Sequence, residues 1–384
     1  MSEQKYAAGA CIKVIGVGGG GGNMINHMAS GGIGQVELIA ANTDAQALEA
    51  SMATTIIQLG ERKTKGLGAG MKPEVGKNAA IDSYDDIKEA LEGADIVFIA
   101  SGLGGGTGTG ATPVVAQAAK EIGALSVSIV TKPFAFEGRK RTKLAEAGLG
   151  ELKKDSDSIV VIPNDKLLSI VDKKLGIKDS FKLVDDILSR AVGGMSSVVL
   201  SYGPNDINVD FADVETVMGH KGMAILGVGE AVGENAAIEA IRDAIESPLL
   251  DNLAINGAMG VLVHFHIHEN FPLAQIQDAM EIIYDHADED ADVIFGTTTN
   301  ESFAENEVKI TLVITGFDNK DKEQAEESLS EDSKISPINE TGKPKIQTMD
   351  ISSMRNRLKK SSGRDFDLDS NDLEYPTFLR NRID

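Results

Sequence analysis

The chain has 384 residues, one cysteine and a formal net charge of −22. A lone Cys11 excludes an intramolecular disulfide, and so acidic a chain without a basic patch repels nucleic acid and anionic lipid. Trp is absent, Met1 to Lys5 lacks a signal-peptide pattern, and no apolar run approaches the roughly 20 residues that cross a bilayer, so neither a base-stacking surface nor a membrane span is expected.

The apolar run Ile12–Val17 leads into Gly16-Val17-Gly18-Gly19-Gly20-Gly21-Gly22-Asn23, and a helical pattern follows from Met24 to Met28. Strand, glycine-rich turn and helix in succession open a nucleotide-binding fold, and Gly16, Gly18 and Gly21 satisfy G-x-G-x-x-G. Any glycine run meets that pattern easily, so a plain tight turn is the alternative. A second strand, Val36 to Ala41, ends in Asn42-Thr43-Asp44. Short polar side chains at the carboxyl end of a parallel strand face a ligand crevice. Thr43 or Asp44 equally suits the N-cap of a helix through Ala45 to Leu48. Ile56 to Leu59 is a short strand, and Gly66-Leu67-Gly68-Ala69-Gly70 is a second glycine loop, for which a surface connection is the plain reading.

Ala94 to Ala100 is the next buried strand, and Gly102 to Gly110 separates it from a helix running from Ala111 to Ile122. Successive backbone N–H groups in such a turn converge on an anion, and the following helix points its positive end at the same spot. A phosphate cradle is therefore expected. Strand Leu125 to Val130, helix Arg139 to Leu149 and strand Ile159 to Ile162, ending in Pro163-Asn164-Asp165, continue the alternation. The alternation predicts a Rossmann-like α/β domain with a mainly parallel sheet and its loops gathered along one rim.

Asp179 to Ser201 is helical in pattern, with Phe181, Val184, Leu188, Met195 and Val199 on one stripe. After Tyr202 to Asp206 breaks it, Asn208-Val209-Asp210-Phe211-Ala212-Asp213 leads into a helix through Met218. Asp210 and Asp213 share a face at a helical start, and capping is the plainer role for them. Four strands (222–229, 260–268, 292–298 and 307–316) and two helices (236–246 and 273–286) predict an α+β unit. His264, His266 and His268 share a strand face, which suits either a solvated surface or a transition metal. The expected organisation is an N-terminal extension (1–10), a nucleotide-binding domain (11–178), a central helix (179–201) and a second domain (202–317). A linker at 318–370 is too polar to fold and reaches on the order of 40 Å as a coil. The tail at 371–384 returns to apolar residues, and Leu373 to Arg380 reads as a partner-binding peptide.

Gly104-Gly105-Gly106-Thr107-Gly108-Thr109-Gly110 is the signature of the tubulin/FtsZ superfamily, a far more specific pattern than G-x-G-x-x-G. Gly16 to Asn23, Asn42 to Leu48, Gly66 to Gly70, Pro163 to Asp165 and Asn208 to Asp213 resemble the same superfamily in order, and Tyr375 to Arg380 resembles its tail peptide. The chain is similar in particular to the bacterial cell-division members, GTPases that polymerise into the division ring. The resemblance implies that Gly19, Gly20, Gly21, Asn23, Asn42, Asp44, Gly70, Gly104, Gly105, Gly106, Thr107, Gly108 and Thr109 bind GTP or GDP, chiefly at the phosphates. It implies Glu137 and Arg141 at the ribose, Asn164 and Asp185 on the guanine, and Phe181 stacked against it. It further implies Mg²⁺ held mainly through the phosphates, with no protein metal site, and a head-to-tail homopolymer. In that polymer Asn208, Asp210 and Asp213 enter the next subunit's site, which reverses the capping preference. Membrane-anchoring and regulatory division proteins would take the tail, at a mid-cell, cytoplasmic location.

Two stretches depart from the family pattern. Ser201 to Asp206 is longer than the usual turn before Asn208, and His264 to His268 matches no family motif. A dinucleotide-dependent oxidoreductase is the competing reading, from Gly16, Gly18, Gly21 and Asp44, but it leaves the second phosphate loop unexplained and has no catalytic His or Lys in a matching position. A non-hydrolysing filament scaffold would keep the fold and lose the chemistry.

Overall fold

The computed structural model describes residues 10–31, 36–167, 189, 192–196, 206–220, 222–246 and 258–316. Strand β1 (Ile12–Val17) shows how its sheet is built. Ile12 and Val14 enter one hydrophobic cluster while Ile15 and Val17 enter another, because side chains alternate across a strand. β4 (Ile96–Gly102) repeats the division, with Ile96 and Phe98 on the first side and Val97 and Ile99 on the second. Strands apolar on both faces are the mark of a parallel sheet covered on both sides by helices.

Around these two lie β2 (Glu37–Asn42), β3 (Thr55–Gln58), β5 (Leu125–Lys132) and β6 (Ser158–Pro163), all parallel in the order β3-β2-β1-β4-β5-β6. Helix α1 (Gly18–Gly31) follows β1 and sends Met24, Ile25 and Met28 into the first cluster. After α2 (Ala45–Glu49) and α3 (Glu61–Thr64), α4 (Pro73–Asp82), α5 (Tyr84–Leu91), α6 (Thr107–Glu121) and α7 (Arg139–Asp155) cover the other face. The chain order reverses between β1 and β4, which opens a crevice at their carboxyl ends, the position where such folds bind ligands. α8 (Asn164–Leu167) begins directly at the end of β6.

The parallel α/β architecture expected from the sequence is the one the chain forms, and the sheet continues beyond it. After α9 (Phe211–Gly219), β7 (Gly222–Val232) adds to β6 in parallel, with Ser158 opposite Gly222. β8 (Gly260–Ile267), β9 (Asp292–Thr299) and β10 (Glu307–Thr315) complete ten strands in the order β6-β7-β10-β8-β9. β10 is antiparallel to both neighbours, and β9 is the edge strand. α10 (Ala236–Ile245) and α11 (Leu273–His286) cover one face through Ala237, Ala240, Ile241 and Ala244, and Ile276, Ala279, Met280 and Ile283, at helical spacing. Of the apolar stripe expected after Asp179, Met195 is described and buried; Phe181, Val184, Leu188 and Val199 lie outside the described residues, as do the linker and the tail. No helix among the described residues is long and apolar enough to cross a membrane.

The histidine strand face is not solvated. His264 is 1% exposed, its Nε2 lies 2.9 Å from Thr298 Oγ1, and its ring meets that of His266 edge-on at 4.5 Å. His268 lies past the end of β8, where its Nδ1 accepts the Asn270 N–H at 3.1 Å. Among the described residues no group of three His, Cys, Asp or Glu is placed to hold a metal ion.

Burial, assisted by His266, holds the His264 imidazole down at about 3. Burial and then Lys309 hold His266 at about 4, with Asp206 opposing. An unfolded histidine titrates near 6.5, so between about pH 6.5 and 4 the unfolded chain takes up protons that the folded chain refuses. The stability linked to these rings is therefore intact above that window and falls as the pH drops through it. A His264→Asn/His266→Asn chain should lose less stability than its parent between pH 7 and pH 4, by roughly 3 kcal/mol per ring. Urea unfolding at the two pH values measures this, and equal losses in both chains would refute it.

Candidate functional site

A cleft of about 350 Å³ opens where β1, β4 and β5 end. It is walled by Gly19, Gly20, Gly21 and Asn23 from α1, and by Gly105, Gly106, Thr107 and Gly108 around the start of α6. The two helices leave adjacent strands toward opposite faces, so their N-termini flank one space. The first four N–H groups of a helix have no partner within it, and the helix dipole adds partial positive charge at that end. Two such ends beside one cleft make an anion site.

Both helices start earlier than the sequence pattern suggests. α6 begins at Thr107 rather than Ala111, and α1 at Gly18 rather than Met24. Glycine lowers helix propensity, which hid these turns, but here it is needed for packing rather than for looseness. A Cβ on Gly21 would land on the carbonyl oxygen of Ala100, and one on Gly108 on that of Gly102. The loop between β4 and α6 turns at Gly104, whose φ of +99° suits only glycine, and the Gly104 N–H donates to Thr109 Oγ1 at 2.8 Å. Thr109 thus braces the loop from behind. Thr107 Oγ1 lies 2.7 Å from Thr43 Oγ1 and ties α6 to the end of β2.

The rest of the wall comes from further along the rim. Glu137 accepts the Phe134 N–H at 3.0 Å with one oxygen and pairs with Arg141 through the other. Both side chains line the cleft, as does Asn164 at the start of α8. Asn164 is buried, and its Oδ1 has no hydrogen-bond partner among the described residues. A buried acceptor left open at a cleft takes its hydrogen bond from ordered water or from a donor on a ligand. Nothing lies within 4 Å of a Cβ placed on Gly19 or Gly105, so the space beside these two glycines is free. Open acceptor, open cradle and converging N–H donors fit a phosphorylated nucleobase compound.

Several residues singled out in the sequence lie elsewhere. Asp44 caps α2, its Oδ1 accepting from Gln46 N at 3.0 Å and Ala47 N at 3.5 Å, and Asn42 Oδ1 accepts the Asp44 N–H at 3.2 Å. Gly70 sits in the loop that Asp44 and Leu67 bridge to α2. Asn42, Asp44, Gly70, Gly104 and Thr109 do not line the cleft, and Phe181 and Asp185 lie outside the described residues. Asn208, Asp210 and Asp213 are exposed around the start of α9. Asp210 holds the N-cap position without a side-chain cap bond. Ile207 pairs with β9 at the sheet edge, and α9 packs Val214 and Met218 against Ile96 and Leu125 at the amino ends of β4 and β5, the opposite end of these strands from the cleft.

Comparison with known proteins agrees with this geometry. The tubulin/FtsZ family GTPase-domain model matches residues 11–172, and the FtsZ family C-terminal-domain model matches residues 222–318. The empty FtsZ dimer of M. jannaschii is 41% identical, with a TM-score of 0.76, over 88% of this chain and 96% of that one. The chain belongs to the tubulin/FtsZ family. A point mutant of M. jannaschii FtsZ matches at 43% identity and a TM-score of 0.76, over 81% of this chain and 92% of its own. The GTPγS-bound protofilament of CetZ2 from Haloferax volcanii shares the fold at 22% identity and a TM-score of 0.70, covering 84% and 99% of the two chains. As a tubulin/FtsZ family member the chain is a guanine-nucleotide-binding GTPase of the cytoskeletal class.

The wall also contains Met24, Ser101, Leu103, Thr131 and Pro133, which the sequence analysis did not select. Ser101 and Thr131 each stand one residue before the end of their strands, β4 and β5, and a polar residue there is a crevice residue by the same rule that drew attention to Asn42. Met24 and Leu103 carry no polar signal, since they supply apolar wall.

Proposed function

We propose that this chain is a GTP-hydrolysing subunit that polymerises head to tail into division-ring filaments, each cleft being completed by Asn208, Asp210 and Asp213 of the neighbouring subunit. The observation that carries this reading is that the donors and the acids stand at opposite ends of the strands β4 and β5. The carboxylate lining the cleft among the described residues is Glu137, and Arg141 already engages it. Among the described residues that wall holds no further carboxylate to activate water, while the helix that the exposed acids begin packs at the amino ends of β4 and β5, the far end from the cleft. A contact between unlike surfaces of successive subunits makes an open filament and brings the two together. M. jannaschii FtsZ as a dimer and CetZ2 as a GTPγS-bound protofilament are precedents for such self-association.

In this reading the N–H groups at the starts of α1 and α6 hold the phosphates, and Asn164 Oδ1 accepts from the guanine. Asp185 and Phe181 join it there. The two aspartates polarise water for in-line attack on the γ-phosphate, Asn208 contacting nucleotide or water. With Glu137 committed to Arg141, the described wall offers no second carboxylate to Mg²⁺, which would be held through phosphate oxygens and waters and would supply charge neutralisation on the triphosphate. Leu373 to Arg380 docks on membrane-anchored and regulatory division proteins at mid-cell on the cytoplasmic side, many weak contacts adding along a polymer.

The test is specific activity against protein concentration, for the full chain and for one ending at Ser370. Both should lose GTPase activity below the same threshold concentration, and the shortened chain alone should fail to reach the division ring. Activity per subunit that stays constant on dilution would refute completion by a neighbour. Recruitment without residues 371–384 would refute the tail assignment.

A further inference from the structure

Four consecutive residues of β9 account for how the acidic segment is held. β9 is the edge of the sheet, so its outer backbone groups would otherwise be unpaired. The Thr297 N–H donates to the Ile207 carbonyl at 3.0 Å, and Thr297 Oγ1 accepts the Ile207 N–H at 2.8 Å. The Thr299 N–H donates to Asp206 Oδ1 at 2.9 Å. A Cβ on Gly296 would fall 2.6 Å from Val209 Cγ2 and 3.1 Å from the Ile207 oxygen, so the segment lies too close for any side chain there. Thr298 meets His264, which stands opposite Gly296 in the β8–β9 register and braces β9 from the inside.

Side-chain atoms thus accept two of these three hydrogen bonds, where a regular strand would use its backbone. That fixes one register for residues 206–209 and ends it at Asp210, where α9 starts. Asp206 and Thr297 are absent from the cleft wall, and neither belongs to the glycine signature. Asp206 is also the last residue of the stretch that departs from the family pattern.

We propose that Asp206 and Thr297 are positioning residues for hydrolysis: by clamping the 206–209 segment to β9 they set the aim of Asn208 and Asp210 into the neighbouring subunit. This rests on the reading that the acidic segment completes that site.

The experiment uses the full chain with Asp206→Ala and Thr297→Val, each beside its acceptor-keeping counterpart, Asp206→Asn and Thr297→Ser. Amide hydrogen exchange at Ile207 and Thr299, GTP affinity and turnover above the assembly threshold are measured. Faster exchange, unchanged GTP affinity and turnover lower by about 10- to 100-fold are expected for Asp206→Ala and Thr297→Val, with Asn and Ser close to the parent. Unchanged exchange would overturn the proposal, as would faster exchange with parental turnover or an equal loss in the Asn and Ser variants. Asp210→Ala separates the two levels. If it is slow while the clamp variants are fast, the clamp fails and the acidic-segment reading stands. If it turns over normally, that reading fails and the clamp falls with it.

Discussion

Asp213→Ala, and separately Asp210→Ala, should bind GTP as the parent chain does and hydrolyse it about 10²- to 10⁴-fold more slowly, the usual cost of losing a group that moves or orients a proton. The structure gives a reason to expect little else to change. Both carboxylates are exposed. Removing an N-cap side chain costs about 1 kcal/mol where it makes its bond, and Asp210 makes no such bond. Asp213 lies in the first turn of α9, where a negative charge gains at most about 1 kcal/mol from the helix dipole. Melting temperature and GTP affinity should therefore stay near parental values while turnover collapses. A mixing experiment then asks whose acid serves whose cleft. Filaments containing both Asp213→Ala subunits and subunits with a blocked cleft, such as Gly105→Ala, should regain turnover that neither variant shows alone. In them an intact cleft meets an intact acidic segment from the next subunit. Mixed filaments without recovery would mean that Asp213 serves its own subunit or none.

Much of this site was legible because the sequence patterns and the packing ask for the same thing. Alternating strands and helices gave the parallel sheet, and Asn164 was marked by standing at a strand end. Capping and ligand contact, however, use the same residue types, and Asp44 could not be assigned to one by pattern. In the fold its carboxylate caps α2. The starts of α1 and α6 were hidden because propensity counts glycine as a helix breaker. The missing information was tertiary: helical positions 21 and 108 are glycine because Ala100 and Gly102 leave no room for anything larger. His264 was misread for a similar reason. Alternation along β8 put it on one face, but not which face is dry, and that depends on residues 206–209 folding back over the sheet edge. Such a non-local cover leaves no periodic trace.

The glycines of the cradle should divide into two groups under substitution, and the division tests what each is for. Gly21→Ala and Gly108→Ala place a methyl group against protein. The first meets the Ala100 carbonyl, and the second meets the Gly102 carbonyl with Ser101 Oγ at 2.6 Å. Backbone atoms of central strands cannot move aside, so each helix would have to shift away from the sheet. Overpacking of this kind costs about 3 kcal/mol, and nucleotide binding should fall as a consequence of lost structure. Gly105→Ala differs, because nothing lies within 4 Å of the added carbon and no left-handed φ is required there. Its stability should change by no more than about 0.5 kcal/mol, as for an unstrained surface substitution. The methyl group would instead stand in the open space of the cleft, where it holds a phosphate away from the N–H groups. Losing roughly 100-fold in GTP affinity needs about 2.7 kcal/mol, the worth of one or two charge-assisted hydrogen bonds. Denaturant unfolding without nucleotide and a nucleotide-binding titration, run on the same three variants, separate the two effects. If Gly105→Ala binds GTP normally, the free space beside Gly105 is not where the phosphates lie, and the cradle would have to be sought along the α1 side at Gly19 and Gly20.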